Sequence, residues 1–160
     1  MKNKILYITV IIFIIDLFIK TLAFNYLTNV NIIPGFFSLV YAKNEGAAFS
    51  ILWGNRWVII LVTILILGFL IYTILKERKY LKGHILFYDI IYGLLFGGIL
   101  GNLFDRVVRG YVIDYISLNF FGYSFPIFNV ADIAITFGVI LMVIYILFFE
   151  KKNETNKLEK

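Results

Sequence analysis

Four long apolar runs are the feature of this sequence that most constrains its fold. The runs are Ile5–Phe24, Trp57–Leu75, Ile85–Phe104 and Ile133–Phe149. Each is 17–20 residues long, about the length that a helix needs to cross roughly 30 Å of hydrocarbon. Because backbone polar groups in lipid must pair within their own segment, these runs are expected to be helices and not strands. The sequence therefore predicts an all-α membrane protein with four transmembrane helices.

Composition supports a membrane location and narrows the chemistry. The chain is 61% hydrophobic and its mean hydropathy is +0.90, whereas soluble domains are about half apolar. The absence of cysteine excludes disulfides, thiolate metal sites and a cysteine nucleophile. A single histidine, His84, leaves little for a Ser-His-Asp triad or a multi-histidine metal site. We therefore expect no metal and no cofactor.

The first run follows a basic start and could be mistaken for a cleaved signal peptide. It is long, carries Asp16 and Lys20 in its second half, and lacks a clear A-x-A cleavage site. We therefore expect it to remain as the first transmembrane helix.

Basic residues predict the orientation. Ten of the 15 Lys and Arg residues lie before the first run, between the second and third runs, and in the tail. The positive-inside bias makes these segments cytoplasmic, with both termini inside. Topology and anionic lipid therefore explain the net charge of +5 better than nucleic acid does. The polar tail Lys151–Lys160 is predicted to be a disordered cytoplasmic segment.

The two long connections, about Asn25–Arg56 and Asp105–Asp132, then face outward. Asn31–Tyr41 holds two β-prone pieces around a Pro-Gly turn, and Tyr111–Phe128 again mixes β-formers with turn residues. Ala47–Trp53 is predicted to be a short amphipathic element at the membrane surface. The sequence thus predicts a small β-containing extracytoplasmic element.

Polar residues gather at the predicted outer edge of the last two runs. Asn102, Asp105 and Arg106 end the third run, Asp132 begins the fourth, and Asp114 lies between them. Two carboxylates about 3 Å apart cannot both ionise, so such a pair can share a proton, activate water and polarise a carbonyl. On spacing alone, helix capping and ion pairing explain these charges equally well.

Three other patterns have structural interpretations. Asp16 and Lys20 are spaced i, i+4, with the acid first, so an ion pair is as consistent with them as a functional role. Asp105 is expected to pair with an arginine. A repeat at every fourth residue predicts a close-packing helix face, formed by Gly93, Gly97 and Gly101.

Two other functions are alternatives. A small ion or proton transporter could use Asp105, Asp114 and Asp132, although transport usually needs ionisable groups near mid-membrane. A Ser-Lys peptidase is a weaker alternative; it would take its base from Lys20 or Lys43 and its nucleophile from Ser38 or Ser50.

Four stretches, in order, resemble the motifs of bacterial lipoprotein signal peptidases (signal peptidase II). Asp16–Lys20 resembles D-Q-x-x-K, and Lys43–Phe49 resembles R-N-x-G-A-A-F. Gly101–Tyr115 contains sequences similar to G-N-x-x-D-R and G-x-V-x-D-F, and Phe128–Asp132 resembles F-N-x-A-D. The departures from these motifs are Leu17 for Gln, Lys43 for Arg, Tyr115 for Phe and Ser50 for Gly.

The resemblance implies an aspartyl endopeptidase that removes the signal peptide from diacylglyceryl-modified prolipoproteins, cutting before the lipidated cysteine. The catalytic pair of the family falls on Asp114 and Asp132. Its substrate-binding residues fall on Asn44, Asn102, Arg106 and Asn129. The matching residues with structural or supporting roles are Asp16, Lys20, Gly46, Gly101 and Asp105.

The same resemblance implies where the protein works and with what. We expect one integral-membrane domain, residues 1–160, that spans the bacterial cytoplasmic membrane several times as a monomer, with its active site near the outer face. Its expected partners are lipid-modified prolipoproteins and membrane lipid, with no nucleic acid.

Overall fold

The computed structural model of this protein describes residues 4–46, 54–77 and 85–150. The predicted surface element Ala47–Trp53, the candidate nucleophile Ser50, residues 78–84 of the basic connection and the tail Lys151–Lys160 lie outside these ranges.

Four helices contain the four apolar runs, as predicted. They are α1 (Lys4–Tyr26), α2 (Arg56–Glu77), α3 (Ile85–Val108) and α4 (Val130–Tyr145), and α4 continues as a π-helical turn, Ile146–Glu150. All four are long and apolar enough to cross a membrane. Large apolar side chains such as Leu65 and Phe69 are more than half exposed, which is the pattern of a surface that faces lipid. The protein is therefore a multi-pass membrane protein.

The described helices begin or end at different residues from those predicted. α1 ends at Tyr26 rather than Phe24, and α3 ends at Val108 rather than Phe104. α4 begins at Val130 rather than Ile133, because Asn129 caps it through a hydrogen bond to the backbone N–H of Asp132.

α3 is the central helix, and glycines let its neighbours approach closely. A Cβ on Gly93 would lie 2.5 Å from Cβ of Ile8 on α1, and a Cβ on Gly97 would lie 2.6 Å from Cβ of Ile12. The predicted glycine face is therefore confirmed, and it packs against α1. Gly98 makes a second close contact, with the backbone carbonyl of Ala131 on α4.

Strands from the two long connections form one antiparallel sheet in the order β1-β2-β3-β4. Its strands are β1 (Val30–Ile33), β2 (Phe37–Asn44), β3 (Val112–Phe120) and β4 (Tyr123–Ser124). The predicted β-containing element is thus present. Ile113 and Tyr115 of β3 pack with Ala23 near the end of α1, which fixes the sheet on the end of the helix bundle.

Candidate active site

Asp114 lies on β3, where the strand crosses the end of the bundle. In the sheet register it stands opposite Ala42 of β2. Its side chain is 2% exposed. Both carboxylate oxygens accept hydrogen bonds: Oδ2 from Nδ2 of Asn44 at 2.9 Å, and Oδ1 from Nδ2 of Asn129 at 2.6 Å. One partner comes from each of the two long connections, so the folded sheet is needed to build this environment.

Asp132 lies in the first turn of α4, where the N-terminal end of the helix dipole favours negative charge. Its Oδ2 accepts a hydrogen bond from the backbone N–H of Asn129 at 3.1 Å, and its own backbone N–H donates to Oδ1 of Asn129 at 3.0 Å. These reciprocal bonds form a capping box. Oδ1 of Asp132 accepts from Nδ2 of Asn102 at 2.8 Å, so helix folding and one side chain of α3 together set the carboxylate orientation.

Asn129 joins the two carboxylates. Its amide donates to Asp114 while its backbone N–H donates to Asp132. The residue is fully buried. Asn129 thus caps α4 and also contacts both carboxylates. One residue therefore donates a hydrogen bond to each of the two aspartates.

A buried cation, Lys20, lies near this pair. Nζ of Lys20 is 2.8 Å from Oδ2 of Asp16 and 3.2 Å from Oδ2 of Asp105, and it donates to Oδ1 of Asn102 at 2.8 Å. Lys20 is 1% exposed and both of its acidic partners are 0% exposed. The remaining oxygen of Asp16, Oδ1, accepts from the backbone N–H of Ala131 at 2.9 Å. This network connects α1, α3 and the first turn of α4.

Asp105 ties the end of α3 to the sheet. Its Oδ1 forms a close ion pair with Arg109 one turn later, and its Oδ2 accepts from the backbone N–H of Ile113 at 3.2 Å. With Lys20 as a second cation, the buried carboxylate is compensated on both oxygens, which buried charges require.

Arg106 and Gly46 close the side of the site that faces β2. Nη2 of Arg106 donates to the carbonyl of Gly46 at 2.8 Å, and Nη1 donates to the carbonyl of Asn102 at 3.2 Å. The backbone N–H of Gly46 donates to Oδ1 of Asn44 at 3.1 Å. Arg106 thus fixes the turn that follows β2, and Asn44 combines turn geometry with its bond to Asp114.

Gly101 has no side chain and so leaves room for the Asp16 carboxylate. A Cβ at Gly101 would overlap Oδ2 of Asp16 and lie 3.1 Å from its Cγ. Any larger residue would displace the carboxylate that pairs with Lys20.

The electrostatics of Asp114 suit proton transfer near neutral pH. Burial, followed by the charge of Asp132, raises the pKa of Asp114 to about 6, although the hydrogen bonds from Asn44 and Asn129 act in the opposite direction. A carboxyl that keeps its proton beside a second carboxylate can donate that proton to a carbonyl oxygen.

Several contacts were missed by the sequence reasoning. The hydroxyl of Tyr115 accepts from the backbone N–H of Val130 at 3.2 Å, so the tyrosine that departs from the family motif satisfies a free donor at the start of α4. The hydroxyls of Tyr41 and Tyr111 lie 3.2 Å apart across the sheet. The pattern Asn129-x-x-Asp132 is a capping-box signal and would have placed the start of α4 correctly.

The alternative chemistries find little support. Within residues 4–46, 54–77 and 85–150, no group of three or more His, Cys, Asp or Glu side chains could hold a metal ion. The hydroxyl of Ser38 donates to Oδ1 of Asn31 at 2.7 Å, whereas Lys20 is committed to its buried network. The carboxylates of Asp105, Asp114 and Asp132 all lie where the bundle meets the sheet, which does not form a path across the membrane.

Comparisons with known proteins place the chain in a family. The family model for signal peptidase (SPase) II matches residues 8–148. The lipoprotein signal peptidases of Staphylococcus aureus strains MRSA252 and JH9 are similar, with 44% and 43% identity over 129 residues, which cover 81% of this chain and 74% of each relative.

Solved structures agree with this assignment. A bacterial membrane enzyme solved by the in meso method at 2.3 Å resolution is 38% identical, with a TM-score of 0.83 over 99% of this chain and 93% of that chain. A second such enzyme, at 1.9 Å resolution, is 37% identical, with a TM-score of 0.80 over 92% of this chain and 94% of that chain. The chain therefore belongs to the signal peptidase II family of lipoprotein signal peptidases, membrane enzymes that remove signal peptides from prolipoproteins.

Proposed function

We propose that this protein is an aspartyl endopeptidase whose catalytic pair is Asp114 and Asp132. Its substrate is a diacylglyceryl-modified prolipoprotein, and it cuts the bond before the lipidated cysteine. The observation that carries the proposal is the bridge made by Asn129, which donates one N–H to each carboxylate. Among the described residues, the ion pairs of Lys20 go to Asp16 and Asp105, whereas the side chains of Asp114 and Asp132 are held by neutral N–H donors of asparagines.

The two carboxyls take different roles because their surroundings differ. Asp114 holds the shared proton, since burial and the charge of Asp132 raise its pKa to about 6. Asp132 acts as the base, because the N-terminal end of α4 and the N–H groups of Asn129 and Asn102 all face its carboxylate.

The reaction then needs only these two groups and a water molecule. Asp132 takes a proton from water while the water oxygen attacks the scissile carbonyl carbon. Asp114 donates its proton to the carbonyl oxygen. The resulting diol collapses as the C–N bond breaks. Asp132 gives its proton to the departing cysteine amine, and Asp114 regains one from the diol hydroxyl. The signal peptide leaves with a carboxyl group, and both aspartates return to their starting states.

The four remaining polar residues support this pair in two ways. Asn102 and Asn129 are 8% and 0% exposed, so we assign them to holding the carboxylates. Asn44 and Arg106 are partly exposed and flank Asp114 and Gly46. We assign these two to contact with the substrate backbone as well.

The site is proposed to lie near the outer face of the membrane, with both termini in the cytoplasm. The ten-to-five division of Lys and Arg residues supports this orientation. The exposed apolar surfaces of the helices would let a lipid-bearing substrate approach sideways from the bilayer.

The test is cleavage of a lipidated prolipoprotein by purified protein in detergent. Asp114→Asn and Asp132→Asn should each reduce turnover by at least about 10³-fold, since each removes a titrating group but keeps its shape. Glu45→Gln is the matched control, because Glu45 is an exposed carboxylate next to Asn44 and should retain wild-type turnover. A folded Asp variant with turnover close to that of Glu45→Gln would refute the assignment.

Substrate class is tested separately with lipidated and unlipidated forms of one prolipoprotein. Acyl chains contribute roughly 0.8 kcal/mol per buried CH₂ and hold the scissile bond at a fixed depth. We expect a large loss of kcat/KM without the lipid. Equal rates for the two forms would contradict the proposed substrate class.

A further inference from the structure

Lys20 makes a contact that charge neutralisation does not require. Its ammonium already lies between the buried carboxylates of Asp16 and Asp105, and Asp105 has a second cation in Arg109. The third contact of Nζ is a 2.8 Å hydrogen bond to Oδ1 of Asn102, a neutral side chain. The ammonium therefore interacts with the residue that contacts Asp132.

The contact decides which way the Asn102 amide faces. The two ends of a primary amide are nearly equal in size, so hydrogen-bond partners set its orientation. Here Oδ1 accepts from Nζ of Lys20 at 2.8 Å and from Nδ2 of Asn129 at 3.2 Å, which leaves Nδ2 to donate to Asp132 at 2.8 Å. In the reversed orientation Oδ1 would face the Asp132 carboxylate, and two acceptors would repel each other.

We propose that Lys20 is a positioning residue: its ammonium fixes the Asn102 amide so that an N–H group is presented to Asp132. The inference rests on the proposed function, because it matters only if Asp132 takes part in the reaction. Lys20 contacts neither aspartate of the catalytic pair directly; its hydrogen bond reaches Asp132 through Asn102. Losing the fixed N–H donor therefore lowers kcat. KM stays nearly unchanged, because Lys20 does not take part in substrate binding.

The test is a double-mutant cycle between Lys20→Met and Asn102→Ala. It is made in an Asp16→Asn background, so that removing the Lys20 ammonium does not leave the Asp16 carboxylate without its cation. Loss of one preorganised donor typically reduces kcat by about 10²-fold or more. We expect each single change to reduce kcat by about that factor with KM within roughly twofold. We expect the double change to be no more than about threefold worse than Asn102→Ala alone. Lys76→Met, an exposed lysine at the end of α2, is the control and should keep full activity.

Two results would overturn the proposal. If the losses multiply to about 10⁴-fold, Lys20 acts independently of Asn102; if Lys20→Met keeps its kcat, Lys20 does not act on the reaction. Should the Met variant fail to fold, Lys20→Gln replaces it, since glutamine removes the charge but keeps an N–H donor for Oδ1 of Asn102. If Lys20 is a positioning residue, Lys20→Gln should have a kcat within about tenfold of that of the background protein. A loss of 10²-fold or more in the folded Lys20→Gln variant refutes the positioning role.

Measuring Asp132→Asn together with the cycle distinguishes a failure of the proposed function from a failure of the role of Lys20. If Asp132→Asn retains its turnover, the proposed function fails. If Asp132→Asn is inactive and the losses in the cycle multiply, only the role of Lys20 fails.

Discussion

Replacing Gly101 with alanine tests how rigidly the buried charge network is built. The added methyl would overlap Oδ2 of Asp16 and lie 3.5 Å from Cβ of Ala131. Asp16 cannot move aside freely, because Oδ1 is held by the Ala131 N–H at 2.9 Å and Oδ2 by Lys20 at 2.8 Å. The methyl must therefore either strain the packing or break one of these contacts.

The size of the effect follows from three contributions to the free energy of unfolding. Overpacking a filled interior costs about 1–3 kcal/mol, and a lost hydrogen bond to a charged group costs about 1.5–3 kcal/mol. The better helix propensity of alanine offsets up to about 1 kcal/mol of this destabilisation. We expect Gly101→Ala to be destabilised by about 2–4 kcal/mol, which lowers Tm by about 5–15 °C for a chain of this size.

The assay is thermal unfolding in detergent, followed by tryptophan fluorescence, with turnover measured on the same samples. Gly68→Ala is the matched control, because a Cβ at Gly68 of α2 would meet no atom within 4 Å; its Tm should stay within about 2 °C of wild type. If Gly101→Ala has the same Tm and turnover as Gly68→Ala, the packing argument for Asp16 is wrong.

Three further outcomes are expected. The kcat/KM of the wild-type protein should fall as pH rises through about 6, because Asp114, whose pKa is raised to about 6 by burial and by Asp132, loses the proton it must donate; a rate that rises across this range would refute its role as the acid. Asn44→Ala should shift this limb to higher pH, because it removes a hydrogen bond that lowers the pKa of Asp114; an unchanged or lower limb would contradict this. A cysteine at position 79 should resist a membrane-impermeant reagent added outside intact cells, and labelling there would contradict the proposed topology.

The helices were predictable because lipid leaves the backbone few options. Apolar length alone identified α1 to α4, and the four-residue repeat of Gly93, Gly97 and Gly101 identified the face of α3 that packs on α1. Both signals are local in sequence and need no knowledge of the tertiary fold.

The sheet and the site were only partly predictable, because their contacts join distant parts of the chain. Turn residues indicated β-structure within Asn31–Tyr41, but nothing local to β2 specifies that Ala42 pairs with Asp114. Similarly, the i, i+4 spacing of Asp16 and Lys20 pointed to an ion pair, whereas the bond from Lys20 to Asn102 spans 82 positions. Tertiary packing determines those partners.

The position of Asn129 has a consequence for how the protein is made. A ribosome synthesises the α1 contribution first, then Asn44, the end of α3 and Asp114, and only afterwards residues 129–132. Because Asn129 both starts α4 and bridges Asp114 to Asp132, the constellation is complete only once the last membrane segment has formed its first turn. A nascent chain with three inserted helices thus carries most of the polar residues but not the complete pair, so under the proposed mechanism proteolytic competence arises with the final insertion step.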